Sequence, residues 1–339
     1  MDFSVFFAGT AGSVPTARRG LPALLVRRGG DRLLFDCGEG TQRQLVRSIG
    51  LPEVDAVFIT HFHADHWLGL PGMLKTFDLR GRETPLVVHG PPGLTELMQA
   101  MRRVYGRLRY ELTLVELEPA AVLHRDGYDV AAFPVEHRVA AFGYALVEPS
   151  RPGEFDPAQA VRLGVTEGPD FGRLQRGETV NGVSPEQVVG PGRAGRKLVV
   201  SGDTSPCQPV AVAAHGADLL IHEATFLTEE ADRARETGHT TAAQAAELAR
   251  DAGVRLLALT HVSTRYGGGE VREEARAVFE QTVVPRDFDT IEIPFAERGE
   301  PQLVRWEEPV TAPGASRGGQ APGASRGGQA PVAPRGAQA

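Results

Sequence analysis

The chain has 339 residues, a formal net charge of −7 and two cysteines, with 41 % hydrophobic and 23 % charged residues. This is an ordinary globular composition, long enough for one large domain or two small ones. It is too poor in cysteine for a disulfide scaffold, so reduced thiols and a cytoplasmic setting are expected. No apolar run approaches the roughly 18 residues of a membrane span. Met1-Asp2-Phe3-Ser4 lacks the basic-then-apolar pattern of a signal peptide.

In chain order, short apolar runs bounded by Gly, Pro or Asp predict strands at 3–8, 23–27, 32–35, 56–60, 86–89, 112–116, 128–133, 143–147, 197–201, 219–222 and 256–260. Helical patterns fall at 40–48, 93–104, 209–214, 240–251 and 270–281. The 240–251 helix carries the plainest signals: Thr240 or Thr241 can cap it, and Gly253 sits just past its end. Strands with helices between them predict an α/β protein with two sheets covered by helices. Residues 149–195, rich in Gly, Pro and charge with little periodicity, read as a protruding insertion. From Arg151 to Arg196 there are six arginines and six acids, and only the Arg173–Arg176 portion is locally positive. From 309 onward Gly, Pro, Ser and Ala dominate, and the nine residues APGASRGGQ occur twice in succession, so 309–339 reads as a disordered tail.

The strongest chemical signal is Thr60-His61-Phe62-His63-Ala64-Asp65-His66, where three histidines and an aspartate fall within six residues just after a strand. Imidazole and carboxylate ligands suit zinc, and a loop leaving a strand can turn them into one pocket. His137, Asp203 and His261 each follow the end of another predicted strand, where α/β proteins gather chemistry. Together they complete a two-metal set. One ion would take His61, His63 and His137, the other Asp65, His66 and His261, with Asp203 bridging. Of the other histidines, His89, His124, His215 and His222 are read as packing or capping residues, and Cys37 and Cys207 as small buried ones.

Two features point toward phosphate. Glycines in the 9–12 loop would let backbone N–H groups approach an anion, with Arg18 and Arg19 adding charge. Arg102, Arg103, Arg107 and Arg109, with Tyr105 and Tyr110 between them, could grip RNA phosphates and stack a base.

The run THFHADHWLGL resembles the HxHxDH signature of the metallo-β-lactamase superfamily. That resemblance implies an αββα four-layer sandwich with zinc at one edge. Further segments resemble the ribonuclease Z family, in its short form. They are GTAGSVP followed by Arg18 and Arg19, FDCGEGTQ at 35–42, GPDFGRLQRG at 168–177, HEATF at 222–226 and HVSTRY at 261–266. One position departs from that family: Gln175 stands where lysine is usual. The resemblance implies two zinc ions per subunit, a homodimer and precursor tRNA as substrate. It makes 1–308 the nuclease domain and 149–195 an exosite arm that holds tRNA, with Arg18, Arg173 and Arg176 as substrate contacts. Asp65 would be the general base, and His239, partnered by Glu223, the proton donor to the leaving ribose oxygen. The products would be a tRNA with a 3′-hydroxyl and a trailer with a 5′-phosphate. His239 precedes a predicted helix, whose N-terminus disfavours a protonated imidazole; Glu223 would oppose that. A small-molecule phosphodiesterase or thioesterase of the same fold is the alternative, and it would not need the 149–195 segment.

Overall fold

The first strand sets the layering. β1 (Phe3–Gly9) sends Phe3, Val5 and Phe7 to one side and Phe6 and Ala8 to the other, and both sets are buried. A strand apolar on both faces requires cover on both. The computed structural model describes residues 2–308, and the repeat segment 309–339 lies outside the described residues. Contacts group residues 1–306 in one unit.

Two mixed sheets face each other. The first runs β15 (Gln302–Val304), β14 (Thr290–Glu292), β1, β2 (Ala23–Arg28), β3 (Asp31–Phe35), β4 (Ala56–Phe58), β5 (Leu86–Gly90) and β6 (Leu112–Glu116). The second runs β13 (Thr282–Val283), β12 (Leu256–Thr260), β11 (Leu219–Glu223), β10 (Lys197–Val200), β9 (Phe142–Val147), β8 (Tyr128–Pro134) and β7 (Val122–Arg125). β3 to β6 are parallel, as are β10 to β13. Between the sheets, Phe35 stacks on Phe58 at 4.9 Å, and Tyr144 meets both edge-on at 5.5 and 5.4 Å. The Tyr144 hydroxyl donates to the Ile59 carbonyl at 2.7 Å, two residues before His61. This packing pins the chain where the histidine run begins.

The outer face of the first sheet is covered by α1 (Thr41–Ser48), α3 (Gly69–Leu79) and α4 (Leu94–Ala100), through Leu45, Leu70, Met73, Leu74 and Met98. A one-turn helix, α2 (Ala64–Trp67), precedes α3. The second sheet is covered by α8 (Gln208–Ala214), α10 (Ala242–Asp251) and α11 (Gly268–Arg276). The result is helix, sheet, sheet, helix. Thr241 caps α10 in a capping box with Gln244, so of the two candidate caps the second is used.

The structure departs from the sequence reading in instructive places. The expected 93–104 helix is two pieces, α4 and α5 (Arg102–Tyr105), and Tyr105 and Tyr110 are buried. Their hydroxyls donate to the carbonyls of Met98 and Leu74 at 3.1 and 3.0 Å. They are core residues and offer no face for stacking a base. Arg109 is held by Asp78 at 3.3 Å. α3 was hidden by Gly69, Pro71 and Gly72. Gly69 is required by packing, since a Cβ there would sit 2.1 Å from the Gly38 carbonyl oxygen. The 149–195 segment has local order of its own, α6 (Pro157–Arg162) and α7 (Pro169–Gln175), each begun by a proline. These pack a small separate core that includes Val165, Leu174 and Val188. A further helix, α9 (Ala231–Thr237), leads into the His239 loop.

His89, at the end of β5, stacks on Phe58 at 4.7 Å and is buried. Burial, aided by Arg125, pushes its imidazole down to about 4. The unfolded chain therefore binds this proton at a higher pH than the folded one. Stability from this residue is full above the ordinary value near 6.5 and is lost as pH falls toward 4, by about 3 kcal/mol in all. Denaturant titrations of wild type and His89→Leu across that range should show a steeper acid loss for wild type; parallel curves would remove His89 from the acid response.

Candidate metal centre

The candidate residues leave the C-terminal ends of five strands. His61 and His63 follow β4, His137 follows β8, Asp203 follows β10, Glu223 ends β11 and His261 follows β12. The histidine run is not one loop. His61 and His63 lie on the loop, and His63 opens α2, which carries Asp65 and His66.

These side chains converge. His61 Nε2 lies 2.9 Å from His63 Nδ1, which lies 3.2 Å from His137 Nε2. His66 Nε2 lies 3.4 Å from His261 Nε2, and Asp65 Oδ2 is 3.3 Å from the same His261 atom. Asp203 Oδ2 stands between the two groups, 3.8 Å from His61 Nε2, 3.3 Å from His66 Nε2 and 3.2 Å from His261 Nε2. Each group offers donor atoms within 4.8 Å of one another. Imidazole lone pairs this close repel unless a proton or a cation lies between them, so the donor set fits divalent metal. Burial, the largest cause, holds His61, His63 and His137 below the usual imidazole range, in the neutral form a metal requires. Burial alone would raise the Asp203 carboxyl, but His261 and His66 hold it well below its usual range.

The rings are aimed by their other nitrogens. Asp36 Oδ2 lies 2.7 Å from His66 Nδ1, and the same carboxylate accepts from the N–H and hydroxyl of Thr60. Thr225 Oγ1 lies 2.8 Å from His261 Nδ1 and donates to Glu223. The Gly238 carbonyl accepts from His137 Nδ1 at 2.8 Å. Outer partners of this kind orient metal ligands and raise their basicity. Sequence reasoning assigned no role to Asp36, Thr60 or Thr225. Asp36 lay in the FDCGEGTQ block and Thr225 in HEATF, which were the available signals. His261 itself takes φ 56°, a left-handed conformation that costs energy outside glycine.

The 9–12 loop has a different task from the one its glycines suggested. The N–H groups of Ala11, Gly12 and Ser13 donate to Gly20, Val262 and the Asp65 carboxylate, so they form no phosphate cradle. Gly12 is there for contact, since a Cβ would sit 2.6 Å from His261 Nδ1.

His239 and Glu223 lie beside this cluster. His239 Nδ1 is 2.8 Å from Glu223 Oε1 and 3.9 Å from Asp203 Oδ2. Burial opposes protonation of His239, but the Glu223 carboxylate outweighs it and raises the imidazole to about 9. The carboxylate thus overrides the start of α10. Arg18 is exposed on the wall of a neighbouring cavity. Arg173 and Arg176 lie exposed on the 149–195 segment, where Arg173 pairs with Asp170 at 3.2 Å and Glu178 at 2.9 Å, and Arg176 with Glu178 at 3.6 Å.

The four-layer fold and its clustered histidines and aspartates define a protein of the β-lactamase superfamily, whose domain matches residues 31–262. Similar proteins narrow this. The ribonuclease Z of Methanosarcina acetivorans is 44 % identical over 299 residues, 86 % of this chain and 98 % of that protein. That of Myxococcus xanthus is 47 % identical over 300 residues, with the same shares. The crystal structure of human tRNase Z, short form, aligns with a TM-score of 0.64 at 29 % identity, covering 86 % of this chain and all of that one. The chain belongs to the ribonuclease Z family.

Asp36→Ala should weaken divalent-ion binding by about 10- to 100-fold by freeing His66. Titration of the metal-stripped protein with buffered zinc reads this directly; an unchanged affinity would leave Asp36 without a part in the centre.

Proposed function

We propose that this endoribonuclease removes the 3′ trailer of precursor tRNA by two-metal hydrolysis, leaving a 3′-hydroxyl on the tRNA and a 5′-phosphate on the trailer. The observation that carries the reading is Asp203 Oδ2 set between two groups of imidazoles, with the His239–Glu223 pair beside it. His61, His63 and His137 would hold one zinc ion, Asp65, His66 and His261 the second, and Asp203 would bridge them. When bound, the ions supply Lewis acidity to the scissile phosphate and the attacking water.

The chain's own groups do the rest. Asp65 accepts the water's proton. Burial raises its carboxyl, but His261 and His66 together more than reverse this and keep it ionised. The Ser13 N–H, 2.8 Å away, fixes its orientation. His239 gives its proton to the departing ribose 3′-oxygen. Its Nδ1 is engaged by Glu223, which leaves Nε2 to face the substrate. The tRNA body rests on the 149–195 arm, with Arg173, Arg176 and Arg18 as phosphate contacts. In this reading two subunits form a homodimer in the cytoplasm, where one subunit's arm can present substrate to the other's centre. Among the described residues, no helix is long and apolar enough to cross a membrane.

The decisive experiment is cleavage of a 3′-extended precursor tRNA with mapped product ends. Wild type should leave a 3′-hydroxyl at or near the discriminator base, and Asp65→Ala should not cut. A protein that cuts a small phosphodiester but no precursor tRNA would overturn this reading. His239→Ala should lower kcat by about 100- to 10,000-fold at unchanged metal content. Because the donor must be protonated, wild-type activity should fall as pH rises past about 9. Glu223→Gln removes the anion that holds the proton, so its fall should begin at lower pH. A pH limb that stays in place in that variant would separate Glu223 from the proton transfer.

A further inference from the structure

Beside the donor cluster, five arginines gather on a chain of net charge −7: Arg18, already given as a phosphate contact, and Arg19, Arg272, Arg286 and Arg305. They line two cavities of about 450 and 160 Å³, whose walls share Arg19, Gly268 and Arg286. The larger begins at Val262, next to His261, and also includes Ser263, Thr264 and Tyr266. We propose that these joined cavities form a track for the phosphodiester backbone of the single-stranded 3′ trailer, with Arg272 and Arg286 gripping its phosphates. The inference rests on the ribonuclease reading and adds to it the path of the downstream strand.

The arrangement is built rather than incidental. Arg19 donates to Thr10 Oγ1 at 2.6 Å and to the Pro285 carbonyl at 3.3 Å. It lies over Gly268, where a Cβ would come within 2.7 Å of its Nη2. Arg286 and Arg305 are near enough to act on it as like charges. The acids of this region are already committed. Asp287 accepts from Thr10, Gly20 and Gln44, Asp289 from Arg305, and Glu270 from the Gly267 N–H. Arg18, Arg272 and Arg286 are exposed, and their side chains make no hydrogen bond or ion pair among the described residues. Asp287 offsets Arg19 and Asp289 pairs with Arg305, which leaves Arg18, Arg272 and Arg286 without anionic partners; guanidinium groups held close together in this way repel one another and are relieved by a polyanion.

The direction follows from the chemistry. His239 protonates the oxygen that stays with the tRNA, so the tRNA end lies on the His239 side. The phosphorus stays with the trailer. The loop that carries Arg18 and Arg19 starts at Ser13, whose N–H holds Asp65, so the track leaves from the Asp65 side.

The test compares two precursor tRNAs that differ only in the trailer, one with a single trailing nucleotide and one with a trailer long enough to cross both cavities. For the double variant Arg272→Ala/Arg286→Ala, kcat/KM on the long trailer should fall roughly tenfold relative to the short one, through KM. The dependence of log KM on log salt for the long trailer should become shallower by about 1.4, or about 0.7 for each lost phosphate contact on a single strand. Neither side chain holds another part of the fold, so melting temperature and bound metal should match wild type. Equal loss on both trailers, or no loss on the long one, would overturn the track. Wild-type failure on both substrates would instead remove the ribonuclease reading and the track with it.

Discussion

Seven nitrogen and oxygen donors are held with their lone pairs facing inward at one edge of two sheets, at separations of 2.9 to 3.8 Å. Buried imidazoles and carboxylates do not gather like this spontaneously. They are desolvated, and the imidazoles of His61, His63 and His137 oppose one another's charge, so the rest of the molecule has to hold them in place. The aromatic packing of Phe35, Phe58 and Tyr144 between the sheets does so from below, through the Tyr144 bond to Ile59. Parallel strands do so from the sides, because β4, β10, β11 and β12 all end at the same edge.

A surrounding layer sets the aim. Asp36, Thr225 and the Gly238 carbonyl each engage one ring nitrogen and so decide which atom faces the centre. The Thr225–Glu223–His239 connection joins that layer to the His239 imidazole, so the aim of His261 and the protonation of His239 share one buried network. The left-handed His261 and the glycine packed against it belong to the same design. Strain of that kind persists only where neighbours over-determine the conformation.

The exposed arginines are spread over surfaces with different physics. The 149–195 segment has its own small apolar core, and its Arg173 and Arg176 are balanced by nearby acids. The arginines beside His261 are balanced far less. On a chain of net charge −7, a local group of unpaired arginines makes a positive field where the rest of the surface repels polyanions.

Much was legible beforehand. Strand positions from β1 to β12 follow from short β-branched or Leu-rich runs, although β7 was missed, along with β13 to β15, which are only two or three residues long. The α10 cap and its closing glycine follow from local chemistry. So does the dense run from His61 to His66, since ligand-rich spacing is a property of consecutive residues. What the chain could not declare locally is whatever depends on a partner distant in sequence. Tyr105 and Tyr110 looked like an RNA surface and are core, because Met98 and Leu74 receive their hydroxyls. Gly12 looked like a phosphate loop and is a spacer for His261, which lies 249 residues on (261 − 12). The residue types and their order thus determined the fold class and the kind of ion the centre suits. Only tertiary structure decided which ring nitrogens meet, which arginines are left without anions and which glycines exist to make room, because those depend on distances between segments that local sequence does not encode.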